Sequence, residues 1–160
     1  MKEKEIMKTL AFSKKRSTLM KSISGDEGNM SVSTIPTIPV DYSNKYLANT
    51  DSSGSGDFSY ANFSNSILIG ATFLDVNLRY ANFSNANLRY ANLQGADLRG
   101  ANLTGANLRY ANLQGANLQL ANCKDANLSY AKLLNANFCL SYTKNANFSY
   151  AEDYNSCQLF

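Results

Sequence analysis

Residues 91–120 read ANLQG ADLRG ANLTG ANLRY ANLQG ANLQL, six consecutive five-residue units that each open with Ala and carry Leu third. A period of five suits neither regular element. Spacings of 3.6 or 2.0 would scatter the leucines around a helix or across both faces of a strand, so the chain has to turn once per unit. If each unit makes one side of a rectangular coil, its Ala and Leu both point inward and the other three positions face water. Four sides then make a coil of twenty residues, and residue n stacks on residue n+20 at the inter-strand spacing of about 4.8 Å.

Working outward, the register runs unbroken from Gly56 to Tyr150, nineteen units in all. Ala holds the first position in 15 of them, the exceptions being Gly56, Ser66, Val76 and Ser141; Leu or Phe holds the third in 17, the exceptions being Cys123 and Thr143. Such regularity specifies an all-β solenoid of 4.75 turns, roughly 23 Å long at that rise. Leu88, Leu93, Leu98, Leu103, Leu108, Leu113 and Leu118 are its expected core, and burying each is worth about 1.5–3 kcal/mol. Asn recurs thirteen times at the second position and stacks on itself from turn to turn, which predicts side-chain amide ladders along the rod. The Asn-x-Ser/Thr triplets at Asn62, Asn82, Asn102, Asn127 and Asn147 are by-products of the same repeat.

The tandem A(N/D)LXX unit from Gly56 to Tyr150 resembles the pentapeptide-repeat family. The resemblance implies a right-handed quadrilateral β-helix. It also implies two kinds of partner: several members pair end to end as homodimers through C-terminal apolar residues, and the quinolone-resistance branch mimics duplex DNA with an acidic rod and protects DNA gyrase.

Outside the repeat the composition changes. Residues 1–24 carry seven basic and two acidic groups, net +5; residues 25–60 carry one and five, net −4; residues 61–160 carry seven and five, net +2. Residues 1–24 are expected to form a basic N-terminal tail, disordered or partly helical, because their apolar residues fall on two faces and give no single stripe. Residues 25–56, with Pro36, Pro39 and the run DSSGSG at Asp51–Gly56, read as a flexible linker. Residues 57–150 are the repeat domain, and residues 151–160 a C-terminal cap or tail in which Tyr154, Leu159 and Phe160 can cover the last coil.

The chain has no His, no Trp and three Cys, which excludes a disulfide framework and removes the usual imidazole ligand and base. No Cys pair stands at metal spacing and no Gly-rich phosphate loop precedes a helix, so no metal and no cofactor are expected. A convex rod offers its few carboxylates no cleft to desolvate them, so no catalytic residue is expected and the protein reads as a non-enzyme. The apolar run around Ile67–Ile69 is too short to span a membrane. The bacterial cytoplasm is the default location.

Function therefore rests on the outward positions. By the n+20 rule Tyr90, Tyr110, Tyr130 and Tyr150 form one aromatic ladder with Arg89 and Arg109 beside it, while Tyr60, Tyr80, Gly100, Leu120 and Leu140 stand opposite with Arg79 and Arg99. Tyr and Arg are enriched at interaction hot spots, so the expected function is a protein-interaction or scaffold protein presenting this strip to a protein partner. The plain alternative is a ladder that only covers the turns. Two arginines per face fall short of the continuous basic stripe of a nucleic-acid binder. The functional alternative is an inhibitor or protector of a DNA-handling enzyme such as DNA gyrase. Against it, only Asp75, Asp97 and Asp125 are acidic between Ala61 and Tyr150, whereas duplex DNA carries a charge per about 1.7 Å.

Overall fold

The computed structural model describes residues 40–53 and 56–154. Each unit contributes one β-bridge through its second residue, paired in parallel with the unit one coil on: Asn82 with Asn102, Asn87 with Asn107, Asn92 with Asn112, Asp97 with Asn117. The residue after each bridge points inward. Leu88, Leu93, Leu98, Leu103, Leu108, Leu113 and Leu118 are all 0% exposed, and the first-position alanines from Ala81 to Ala131 are buried with them. The fold is the expected right-handed quadrilateral β-helix, and no helix occurs among the described residues. Its core is four columns, beginning at Tyr42, Leu47, Ser52 and Phe58 and repeating coil by coil.

The corners explain why the chain can turn every fifth residue. The third-position carbonyl accepts a hydrogen bond from the N–H three residues on, as from Ala96 to Leu93 at 3.1 Å and from Ala111 to Leu108 at 2.9 Å. The fifth-position residue just before that donor is left-handed, with φ of +65° at Gly95 and +59° at Asn135. Positive φ at the third turn residue alone is the pattern of a type II turn, for which Gly or Asn is preferred. The second-position Asn braces the corner from the other side: the Oδ1 atoms of Asn82, Asn102 and Asn122 each accept the N–H two residues on at 3.1 Å. The same amides reach the preceding coil, Asn82 donating to Asn62 at 3.2 Å and Asn102 to Asn82 at 3.1 Å. The ladder residue is thus also the turn's cap.

The coil begins earlier than the repeat pattern suggests, and the expected linker over residues 25–56 is corrected for its second half. Asp41, Tyr46 and Asp51 pair in parallel with Asn62, Ile67 and Thr72, and Tyr42, Leu47 and Ser52 fill the inward positions. The offset there is 21 residues, and it becomes 20 from the Asp57–Asn77 bridge onward. One extra residue between Asp51 and Asp57 breaks the period, and Val40, Lys45 and Thr50 stand where Ala is usual. The predicted tail over residues 1–24, the remainder of the linker to residue 39, and Leu159 and Phe160 of the expected cap lie outside the described residues. At the C-terminal end Tyr154 stacks on Phe148 with ring centroids 4.0 Å apart and meets Phe138 edge-on at 5.6 Å. Cys123 takes a leucine's inward place, and burial pushes its thiol up to about 12. Cys139 is disulfide-bonded.

Candidate interaction surface

Tyr90, Tyr110, Tyr130 and Tyr150 are the left-handed residues of one corner, with φ between 59° and 62°. Their ladder therefore runs along an edge of the rod, which corrects the placement on one face that the n+20 rule suggests. Successive rings stack at 5.0, 4.9 and 5.0 Å with interplanar angles of 3°, 25° and 14°. They remain partly open to water, from 37% at Tyr110 to 76% at Tyr150. A residue with a Cβ in this conformation costs on the order of 1–2 kcal/mol more than one in a right-handed or extended conformation. Ring stacking offsets part of that cost, at about 0.5–1.5 kcal/mol per pair.

The arginines lie along the same edge. Arg89 sits 5.4 Å from the Tyr90 ring centroid, and Arg109 bridges Tyr110 and Tyr130 at 4.8 and 5.2 Å. Arg109 Nη2 also donates to the Tyr110 hydroxyl at 3.1 Å. Among the described residues neither guanidinium meets a carboxylate, and Arg89 Nε is buried without a hydrogen-bond partner. The structure thus brings all six predicted strip residues together.

The diagonally opposite corner is built differently. Tyr60 and Tyr80 stack at 5.1 Å, and the column stops at Gly100, where an added Cβ would come within 2.5 Å of Tyr80 Cε1. The Tyr80 ring lies over the glycine's place, which shows that these side chains lean toward the next coil. Arg79 approaches Tyr80 at 5.7 Å, whereas Arg99 is held by Asp97 through Nε–Oδ1 at 2.8 Å and Nη2–Oδ2 at 2.5 Å. That fork bond holds the Asp97 carboxyl below the usual carboxylate range. Below Gly100 the corner carries Leu120 and Leu140, both exposed and both at positive φ. The sequence places the four arginines symmetrically, but only two lie beside a continuous ring column and free of acid. The signal was present in the ADLRG unit at Ala96–Gly100, where Asp97 and Arg99 share one side of the coil.

The other two corners carry polar or small residues such as Asn85, Gly105 and Asp125, or Asp75, Gly95 and Gly115. Among the described residues no group of three or more His, Cys, Asp or Glu could hold a metal ion, and no helix is long and apolar enough to cross a membrane.

Comparison with known proteins places this architecture. The family described as pentapeptide repeats matches in eight copies over residues 57–89, 86–122 and 121–152. A pentapeptide repeat protein, Rfr23 from the cyanobacterium Cyanothece 51142, is similar at 28% identity and a TM-score of 0.62, covering 64% of this chain and 82% of its own. QnrB1, a plasmid-mediated fluoroquinolone resistance protein, is similar in fold at 23% identity and a TM-score of 0.61, covering 71% of this chain and 58% of its own. A pentapeptide repeat protein from the Arabidopsis thaliana thylakoid lumen matches at 34% identity with a TM-score of 0.49, over 59% of this chain and 68% of its own. No curated protein sequence matches the chain. With the repeat signature spanning residues 57–152 and a quadrilateral coil built on it, the chain belongs to the pentapeptide-repeat family.

Proposed function

We propose that the protein is a non-enzymatic docking or scaffold protein that holds a protein partner along the Tyr90–Tyr150 edge, with Arg89 and Arg109 contributing at its N-terminal half. One observation carries this reading: the corner does not need the rings. Gly95 and Gly115 make the corresponding turn of the third side with φ of +65° and +66°, and Asn135 does so below them. Yet four successive coils place Tyr in that conformation along one edge. Side chains that accept backbone strain and stay exposed are suited to contact another molecule, and stacked Tyr beside Arg is the composition of a hot spot.

The test is the double substitution Tyr110→Asn, Tyr130→Asn, because Asn keeps the left-handed turn. The variant should melt within a few degrees of the parent and lose the partner that the parent captures. Retained capture with a lowered melting temperature would make the ladder a structural trim and refute the reading. End-to-end pairing of two copies at the last coil, where Leu140, Tyr142 and Tyr150 are exposed, belongs to the same interaction role and is read by sedimentation. The protector reading has less support. The likeness to QnrB1 is one of fold, Asp97 is neutralised by Arg99, and Asp75 and Asp125 stand on different corners. Inhibition in a gyrase supercoiling assay would revive it. The bacterial cytoplasm is retained as the working location, to be tested by fractionation.

A further inference from the structure

We infer that Arg89 and Arg109 form an acceptor for paired carboxylates, so that the segment bound at this edge is a short acidic stretch of a protein. The inference deepens the docking reading and rests on it. Arg89 and Arg109 stand one coil apart, their backbones about 4.8 Å from each other, on a corner with no acid of its own among the described residues. Like charges at that spacing repel, and a bound anion relieves the repulsion. Each guanidinium carbon lies 4.8–5.4 Å from a ring centroid of Tyr90, Tyr110 or Tyr130, and both side chains remain partly exposed. A guanidinium engaged by an aromatic face and open at its edge is arranged for bidentate carboxylate binding.

The hydrogen bonds already made sharpen the point. Arg109 donates through Nη2 to a tyrosine hydroxyl, and Arg89 Nε is buried without a partner among the described residues and so closed to a ligand, which leaves the terminal Nη groups as the donors toward an anion. On the opposite corner Arg99 already has its acid, with Asp97 bound at its Nε and Nη2.

The same cations could bind phosphates, but the edge does not suit a nucleic acid. Rings stacked at 4.9–5.0 Å leave no gap into which a base could insert. The basic column is also only two residues long, being continued by Ile69 on one side and Ser129 and Ser149 on the other. A backbone charged at every nucleotide would find no third cation in line.

The test uses the full chain and a fluorescein-labelled hexaglutamate peptide, followed by fluorescence anisotropy at low salt. Binding should saturate, weaken with added salt, and fall at least tenfold in the R89Q/R109Q variant. R89K/R109K should recover less than half of the lost affinity, since Lys keeps the charge without the fork. The control K124Q/K144Q, on another corner, should change affinity less than twofold. Equal losses in the control and arginine variants, full binding by R89Q/R109Q, or full recovery with lysine would each overturn the inference. So would tighter binding of a fifteen-nucleotide oligothymidylate than of the peptide. The two readings fail separately. If Tyr110→Asn, Tyr130→Asn keeps its protein partner while R89Q/R109Q loses hexaglutamate, the docking reading falls and the anion site stands. If the tyrosine variant loses its partner while hexaglutamate ignores the arginines, the reverse holds.

Discussion

Replacing Leu108 by Ala should destabilise the protein by about 4 kcal/mol, in the upper part of the roughly 2–5 kcal/mol range for such truncations. Leu108 is 0% exposed and lies in one column between Leu88 and Leu128. Removing three carbons forfeits about 2.4 kcal/mol of transfer free energy at about 0.8 per carbon. The rest is the cavity. Ordinarily neighbours relax into such a hole, but here the coils above and below are fixed by Leu88 N–H to Asn107 O at 2.8 Å and Leu108 N–H to Asn127 O at 2.7 Å. Asn107 N–H to Ala86 O and Asn127 N–H to Ala106 O, both 2.9 Å, hold the same coils from the adjacent residue. The coils cannot close up without breaking the ladder, so the cavity persists and its cost is retained. Leu120→Ala is the internal control: that side chain is 62% exposed at a corner, and its loss should fall within about 0.5 kcal/mol. Guanidinium unfolding followed by far-ultraviolet circular dichroism gives both values from midpoint and slope. Equal costs, or less than about 1 kcal/mol for Leu108→Ala, would refute the rigid-coil argument.

Three further outcomes follow from the same geometry. Gly115→Ala should cost only the positive-φ strain, about 1 kcal/mol, because nothing lies within 4 Å of the new Cβ, whereas Gly100→Ala should cost more through Tyr80, and Tyr80→Asn should remove the excess. Burial keeps the Cys123 thiol protonated to about 12, while the unfolded thiol ionises from 9.0, so the folded state binds the extra proton and stability falls as pH rises through that window. Cys123→Val should show a smaller drop in unfolding midpoint between about pH 8 and about pH 10.5; an unchanged drop would assign it to other groups, such as Tyr154, whose hydroxyl burial also raises. Deleting residues 1–56 should lower the melting temperature by several degrees, because it strips Tyr42 from its 4.8 Å stack on Phe63, while deleting residues 1–39 should not. Equal melting of the two truncations would put the start of the coil after Gly56.

How much of this was legible depended on where the repeat is strict. From Ala81 to Ala131 the unit alone specified inward Leu, stacked Asn and the Tyr column, because each role has one position and the period never slips. The first coil escaped notice because Tyr42, Leu47 and Ser52 are not a Leu run and one inserted residue shifts their register to 21. Nothing in a five-residue period announces a six-residue step. The corner location of the tyrosines required the backbone, since n+20 fixes who stacks on whom but not whether the residue lies on a side or at a turn. The unequal state of the four arginines was written in the sequence at Asp97, yet it becomes a distinction only once residues two apart are seen to share a side.

The claim that the Tyr edge is the protein's working surface is tested most directly by replacing Tyr130, within the full chain in cells, by a benzophenone-bearing phenylalanine and irradiating. Gln114, half-buried beside another corner, carries the same group as control. The account predicts one discrete cross-linked adduct from position 130 and none from position 114. The same adduct from both positions, or none from position 130 while position 114 yields one, would contradict it.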